Sequence, residues 1–484
     1  LYKENKIDKP VKISYNGLMN NSTTLIKKLV LLIGDFLILE ISLILTLLIR
    51  YRNEFNFDFN SEIWQLHFLP FIFVYLFWII IFYIHNLYEL KTAVNKSNFY
   101  QTLIRAYLFS AGLTVLIFYF IPQLLITPKT NLFLNIIISF GLIYLWRNLF
   151  NKTLKSSRLL SNVAIIGINK ESLNLAEQII SHPQLGYKLV AFIDKDNCES
   201  NEINLPQSIK IINNLSSLKS IIEQEKIEQL IITSDIHKAD DLQKTLLDCI
   251  PLKVAFVDLP TFYEVVIGKI PLTTINQIWL LENITTHKKV YYEFFKKIFD
   301  FTLGCVVLVP SIIIAPLIAI AIKIGSKGPI IFKQKRTGKN RKAFLAMKFR
   351  SMYINAEKHG PKWAQKDDPR VTPVGKFLRK SRLDEIPQLI NIIRGEMSFV
   401  GPRPERPEFV QELEKEIPFY RQRLLVKPGL TGWAQIEGPA YGGSKKETLE
   451  KLQYDLYYIK NYSLFLDLSI ILKTINIVLK FRGQ

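Results

Sequence analysis

Apolar residues fill the first third of the chain in four long runs, about Leu25 to Ile49, Ile63 to Ile84, Leu103 to Ile126 and Leu132 to Leu149. Each is long enough to cross a bilayer as a helix, so the pattern predicts a four-helix transmembrane bundle over residues 1–157. The first run is too long for a signal-peptide core and has no small-residue cleavage site behind it, and is read as a retained anchor. The sequence opens on Leu1 rather than Met, so the natural start is expected upstream. Asp35 and Glu40 fall inside the first run, where an acid either faces a neighbouring helix or serves a function.

From Arg158 the pattern changes to short apolar strands alternating with amphipathic helices: "NVAIIG", "ESLNLAEQIISHP", "YKLVAFIDKD", then "IKIIN", "IEQLIITSD" and "KVAFVDL". That alternation predicts a Rossmann-like parallel α/β domain over residues 158–285. A dinucleotide fingerprint would read GxGxxG at the first strand-to-helix turn, where a missing side chain lets a pyrophosphate approach. The chain has Gly167-Ile168-Asn169-Lys170-Glu171-Ser172, with two glycines absent, although Asp194 closes the second strand where a ribose-binding acid would sit. A degenerate structural or regulatory module fits better than a working NAD site.

A fifth apolar run, Phe301 to Ile324, is interrupted by Pro310 and Pro316. As a straight helix it would extend on the order of 35 Å, enough to cross. Both flanks are strongly basic, which the positive-inside rule allows when both ends stay on one side. Proline weakens the helix backbone, so a re-entrant membrane helix over about 301–324 is expected, with a fifth ordinary span as the alternative. The rest of residues 286–484 is polar, rich in Gly, Pro and Arg, and reads as a mostly helical domain.

Composition narrows the partners. The 62 Lys and Arg against 42 Asp and Glu give a net charge of +20, which favours an anionic partner. With 49% apolar residues and positive mean hydropathy, that partner is a phosphorylated small molecule or anionic lipid; no nucleic acid is expected. Cys198, Cys249 and Cys305 are scattered, which excludes a CxxC metal or disulfide framework, and HExxH, GxSxG and Walker motifs are absent. Lys27, Lys28, Lys91, Lys96, Arg105, Arg147, Lys152, Lys155 and Arg158 set against a lone Lys129 put both ends of the bundle in the cytoplasm, with Arg50 and Arg52 dissenting.

Within this basic chain, "SRLDEIPQ" sets Asp384 beside Glu385. On a helix the two point about a third of a turn apart, so they would divide labour: one attacks an electrophile or holds a metal, the other moves a proton. Carboxylate attack on phosphorus is a known form of covalent catalysis, and Arg379, Arg382 and Arg403 offer guanidinium forks for phosphate oxygens. Pro402 and Pro404 would stiffen the loop around Arg403. A hard cation, Mg²⁺, bridging carboxylate and diphosphate would complete the neutralisation. The structural alternative is a capping box between Ser381 and Asp384, the acids only complementing a helix dipole.

The stretches "KFRSM", "LDEIPQ", "VGPRP" and "PGLTGWAQ", in that order, together with the four preceding spans and the α/β domain, resemble the bacterial sugar transferase family, the large monotopic phosphoglycosyl transferases. The resemblance implies transfer of hexose-1-phosphate from a UDP-sugar, UDP-galactose or UDP-glucose preferred, to undecaprenyl phosphate at the start of capsule, O-antigen or exopolysaccharide synthesis. It implies that Asp384 is the nucleophile at the β-phosphate, expelling UMP and carrying the phosphosugar. Glu385 is then its dyad partner, associated with Mg²⁺ and with activating the lipid phosphate. Arg403 and Arg379 become phosphate ligands, with Lys348 and Arg350 of "KFRSM" beside them, and Gly429, Thr431 and Gln435 of "PGLTGWAQ" belong to a nucleotide pocket. "YDLYYI" and the run after Ser463 would form surface amphipathic helices on the bilayer. The expected place is the bacterial cytoplasmic membrane, with the catalytic domain on the cytoplasmic face and a homodimer plausible through the central domain or bundle. Two departures stand out: Arg382 replaces the family's Ser or Thr two residues before the nucleophile, and the re-entrant Ser-Pro is missing, leaving Pro310 and Ala315-Pro316 as candidates for the turn. The competing functions are an NAD-dependent membrane oxidoreductase or epimerase, opposed by the broken fingerprint, and a non-catalytic scaffold for polysaccharide assembly, opposed by the intact dyad.

Overall fold

A computed structural model of the chain describes residues 19–52, 54–55, 58–90, 96–121, 129–154, 160–194, 209–213, 217–233, 240–284, 290–356, 360, 368–439 and 444–479. Lys91, Lys155, Arg158 and Cys198 lie outside the described residues. The chain divides between Ile267 and Gly268 into two compact units.

In the first unit the apolar runs form α1 (Met19–Arg50), α2 (Glu62–Ile84), α3 (Lys96–Phe120) and α4 (Lys129–Leu154). All four are long and apolar enough to cross a membrane. Leu31, Leu39, Leu43 and Leu47 recur at multiples of four along one face of α1 and are fully buried with Phe71, Tyr75, Trp78 and Phe82 of α2. The opposite faces are exposed and apolar, as lipid-facing surfaces should be. Asp35 faces a neighbouring helix: its carboxylate pairs with Arg147 of α4, whose other nitrogen donates to the Leu87 carbonyl at 2.8 Å. Arg147 is therefore a buried partner inside the helices rather than part of the basic flank after α4.

The α/β part of this unit runs β1 (Ser161–Ile166), α5 (Lys170–Ser181), β2 (Tyr187–Ile193), β3 (Lys210–Ile212), α6 (Leu218–Glu225), β4 (Gln229–Ile232), α7 (Asp240–Asp248), β5 (Ala255–Asp258) and α8 (Leu259–Ile267). Its five strands are ordered β3-β2-β1-β4-β5, and all pairs are parallel. Separate apolar clusters cover the two faces, as the near-continuous hydrophobic strands require. At the turn after β1, Gly167 has φ +91°, and a Cβ there would come 2.1 Å from Thr233 Oγ1. Asn169 and Ser172 cap α5 reciprocally: Ser172 N–H donates to Asn169 Oδ1 at 2.8 Å and Asn169 N–H to Ser172 Oγ at 2.8 Å. Two amides at that helix start are thus satisfied from within the chain, in keeping with the missing glycines.

The second unit contains α9 (Gln277–Asn283), α10 (Val290–Gly325), β6 (Ile331–Thr337), β7 (Ala343–Phe349), α11 (Pro373–Lys380), α12 (Gln388–Ile393), β8 (Ser398–Val400), α13 (Pro407–Glu416), β9 (Gly429–Thr431), α14 (Trp433–Ile436), α15 (Lys445–Asn461) and α16 (Leu464–Leu479). Residues before 286 contribute to it: Ile270, Leu272, Ile275 and Leu280 lie in its core beside Leu389, Met397, Tyr458 and Ile470. The fifth apolar run is longer than its sequence pattern, a single 36-residue helix through both prolines. One stripe of α10 packs on the rest of the unit: Gly304 against Ile392 and Ile393 of α12, Ile318 and Ile322 with Phe349 and Leu378, and Gly325 against Val374 of α11. Val306, Val309, Ile312, Ile313 and Leu317 on its other side are exposed. Near its start, Asp300 accepts from Ser398 Oγ and Phe399 N–H, both at 3.1 Å, tying α10 to β8.

Candidate active site

Asp384 and Glu385 lie on a one-turn 3-10 helix, Leu383–Glu385, between α11 and α12. Thr372 starts α11 by accepting the Gly375 N–H, and Ser381 ends it, its hydroxyl donating to the Phe377 and Leu378 carbonyls at 2.9 and 3.2 Å. The capping box between Ser381 and Asp384 is therefore not formed; the serine bonds backward, and the acids belong to a separate turn. Arg382 enters that turn with φ +56°, a left-handed conformation that costs a non-glycine residue free energy and that clusters at functional sites.

The dyad is buried, yet both acids line a cleft of about 410 Å³ in the second unit, a volume suited to a small-molecule ligand. Glu385 Oε1 accepts from Lys348 Nζ at 3.0 Å and Arg403 Nη2 at 3.1 Å, and Oε2 lies 3.7 Å from Arg382 Nη1. Burial alone would raise its pKa, but these three cations outweigh that and hold the carboxyl well below the usual range. Asp384 differs. Among the described residues its carboxylate has no hydrogen-bond or ion-pair partner, and burial, joined by the charge of Glu385, pushes it up to about 6 against the pull of Lys348 and Arg379. Two adjacent acids are thus separated in role by their surroundings: one is locked into cations, the other has open lone pairs.

Distant segments deliver these partners. Lys348 comes from β7, which pairs antiparallel with β6. Asn391 of α12 accepts the Met347 N–H at 3.2 Å and donates to the Leu345 carbonyl at 2.9 Å, fixing that strand beside the dyad. Arg403 sits in a loop whose backbone is bound at nearly every residue. Gly401 N–H donates to Thr431 O at 2.9 Å, Gly429 N–H to Pro402 O at 3.0 Å, Arg423 to Arg403 O at 3.0 Å and Arg336 to Pro404 O at 3.0 Å. Stiffness here comes from these bonds as well as from Pro402 and Pro404.

Of the expected site residues, Asp384, Glu385, Arg379, Lys348 and Arg403 converge on the cleft. Arg379 Nε donates to Ser351 Oγ at 2.9 Å. Arg350 also lines the cleft, but its guanidinium donates to Lys327 O, Ser326 O and Ser326 Oγ at 2.8 to 2.9 Å, where it secures the chain just past α10. Gly429 and Thr431 pair with β8 behind the Arg403 loop; a Cβ on Gly429 would fall 2.1 Å from Gly401 N, so glycine is required by close backbone approach. Gln435 lines the cleft, with both amide atoms buried and unpartnered among the described residues. Sequence reasoning passed over Arg423, Lys451 and Asp455. The signal available was Lys451 and Asp455 four residues apart in "LEKLQYDL", which puts both on one helix face.

A metal at the dyad would find hard oxygen donors, and the open carboxylate of Asp384 fits such an ion. Glu385 fits only by sharing its oxygens with Lys348 and Arg403. Among the described residues no group of three or more His, Cys, Asp or Glu forms a ready-made metal site, so most ligands would come from diphosphate and water.

Membrane-length helices and a cation-lined cleft around one open carboxylate define a membrane-associated protein suited to holding phosphate groups. Comparison with known proteins makes the assignment specific: residues 291–481 match the bacterial sugar transferase family, and residues 83–257 match a family described as a CoA-binding domain. A UDP-N-acetylgalactosamine-undecaprenyl-phosphate N-acetylgalactosaminephosphotransferase of Aeromonas hydrophila is 46% identical over 195 residues, 40% of this chain and 45% of that protein. The UDP-glucose:undecaprenyl-phosphate glucose-1-phosphate transferase of Xanthomonas campestris pv. campestris is 32% identical over 323 residues, 64% of this chain and 65% of that protein. A Bacillus subtilis (strain 168) protein provisionally named an undecaprenyl-phosphate N-acetylgalactosaminyl 1-phosphate transferase is 44% identical over 139 residues, 29% of this chain and 78% of that protein. The match spans less than two thirds of the first two relatives. The chain belongs to the bacterial sugar transferase family.

Proposed function

We propose that the protein is a phosphoglycosyl transferase that moves a sugar-1-phosphate from a UDP-sugar to undecaprenyl phosphate and releases UMP, initiating a capsule, O-antigen or exopolysaccharide. One observation carries this reading: the unpartnered Asp384 carboxylate, in a cleft lined with cations, beside a glutamate that is fully ion-paired. In the first step Asp384 Oδ bonds to the β-phosphorus, the bond from that phosphorus to the bridging oxygen breaks, and UMP leaves with the electron pair. In the second, an oxygen of the lipid phosphate attacks the same phosphorus and frees the carboxylate. Arg403, Arg379 and Lys348 hold the phosphate oxygens. Glu385, held ionised, is a poor proton acceptor near neutral pH; its part is to order Lys348, Arg403 and Arg382. Mg²⁺, held by Asp384, Glu385 and the diphosphate, would supply further charge neutralisation.

The packing of α10 supports the re-entrant reading. The same polar unit binds it near its start, through Asp300 with β8, and at its end, through Gly325 with α11. A helix crossing the bilayer would carry those ends to opposite faces, whereas an entering and returning helix, bent at Pro310 or Pro316, keeps both at the cytoplasmic surface of the inner membrane. Reagent access to a cysteine introduced at Lys327 from the cytoplasmic side tests this; access only from the other side would establish a span.

The named relatives divide between N-acetylgalactosamine and glucose donors, so the donor panel must hold UDP-galactose, UDP-glucose and UDP-N-acetylgalactosamine. The deciding experiment incubates purified full-length protein with donor and no lipid acceptor, followed by mass spectrometry. A sugar-phosphate adduct on Asp384 is expected, and Asp384→Asn should lose on the order of a thousandfold of UMP release. Near-normal release by that variant would exclude the covalent route.

A further inference from the structure

Beyond the dyad, the cleft continues along α15, which presents Thr448, Lys451 and Asp455 to it. Arg336, Lys348, Arg350, Arg370, Arg379, Arg382, Arg403 and Arg423 of the cleft lining each have a hydrogen-bonded or ion-pair partner, and Arg406 lies over the Phe409 ring. Lys451 has no such partner among the described residues. The acids nearest it are already engaged: Asp455 with Arg423 at 3.0 Å, and Glu405 with Arg336 at 3.5 Å. An ammonium left unpaired in a partly buried cleft is costly unless a ligand anion neutralises it. Its electrostatic neighbours include Arg403 and Arg423, and burial pushes its pKa down, a tendency a bound anion would reverse.

The position of Lys451 along the cleft gives it a role. A chain of bonds leads from Glu385 to the Arg403 side chain, from the Arg403 carbonyl to Arg423, and from Arg423 to Asp455, one helical turn from Lys451. Lys451 therefore shares the cleft with Asp384 and lies within electrostatic reach of Arg403. A diphosphate whose β-phosphorus meets Asp384 and Arg403 has its α-phosphate one bridging oxygen away in the same cleft, where Lys451 is the lysine without an anionic partner among the described residues.

Resting on the phosphoglycosyl transferase reading, we infer that Lys451 binds the α-phosphate of the nucleoside diphosphate donor and stabilises the nucleoside monophosphate as it leaves. When the bond from β-phosphorus to the bridging oxygen breaks, the new negative charge stays on the α-phosphate, where the ammonium meets it. The carbon skeleton of the sugar and the lipid acceptor are untouched by this contact.

The test uses full-length protein in detergent, with Lys451→Met, Lys451→Gln and Lys451→Arg. UMP is titrated calorimetrically into each, and kcat/KM for the UDP-sugar and KM for undecaprenyl phosphate are measured where turnover occurs. Loss of a charged hydrogen bond should weaken UMP binding about ten- to a hundredfold in the Met and Gln variants, lower donor kcat/KM by a similar factor, leave KM for the lipid unchanged and be largely rescued by Arg. A merely structural lysine would shift the melting temperature and all substrates alike. Equal UMP affinity in wild type and Lys451→Gln, or no UMP binding by wild type, overturns the inference. Wild-type protein that binds UMP through Lys451 but turns over no UDP-sugar would sink the reaction reading and leave the phosphate subsite standing.

Discussion

The pH dependence of the donor half-reaction tests the electrostatics of the dyad directly. Burial and Glu385 push Asp384 up to about 6, from an ordinary 3.8. In the proposed covalent route the attacking form is the carboxylate, so activity is expected above that pKa and lost as pH falls through it. At pH 8 about 99% of Asp384 is ionised, at pH 6 about half and at pH 5 about one tenth, so kcat/KM should fall roughly tenfold between pH 8 and 5. An unperturbed aspartate would lose only about 6% over the same interval. Two variants move the limb in opposite directions. Glu385→Gln removes a like charge and releases its three cations, so the limb moves to lower pH; Lys348→Met removes the strongest charge holding Asp384 down, so it moves to higher pH. The assay is stopped-flow UMP release without lipid acceptor, with Mg²⁺ equimolar to the donor so that the free protein carries no metal, read as kcat/KM so that free-protein pKa values are reported. A flat profile from pH 8 to 4.5, or shifts of the same sign in both variants, would refute the reasoning.

Gly429→Ala places a Cβ 2.1 Å from Gly401 N and 2.6 Å from Gly401 O, so β8 and β9 must separate. The expected cost is about 1–3 kcal/mol, seen as a lower melting temperature, with reduced UMP release because Arg403 follows Gly401 by two residues. Asp35→Leu leaves Arg147 buried without its counter-charge and should destabilise the membrane helices by about 3–5 kcal/mol. Asp35→Leu with Arg147→Met should recover most of that, and additive losses by thermal denaturation in detergent would contradict the pairing.

The sequence by itself determined the helices of membrane length, because some twenty consecutive apolar residues have few other stable arrangements. It also determined the parallel sheet, whose strands and helices alternate with two distinct periods, and the dyad with Arg379 and Arg382 close by, because near neighbours along the chain remain near in any fold. Charge roles were decided only by tertiary structure. Arg147 looked like a basic flank and is the buried partner of Asp35, 112 residues away. Arg350, expected beside the phosphates, lines the cleft, and tertiary structure adds bonds from its guanidinium to carbonyls past α10. Asp384 and Glu385 are adjacent and chemically alike, and what separates them is Lys348, 37 residues upstream, and Arg403, 18 downstream, both of which reach Glu385 Oε1. An ionisable group takes its role from charges within a few ångströms, and those come from segments that sequence spacing does not bring together.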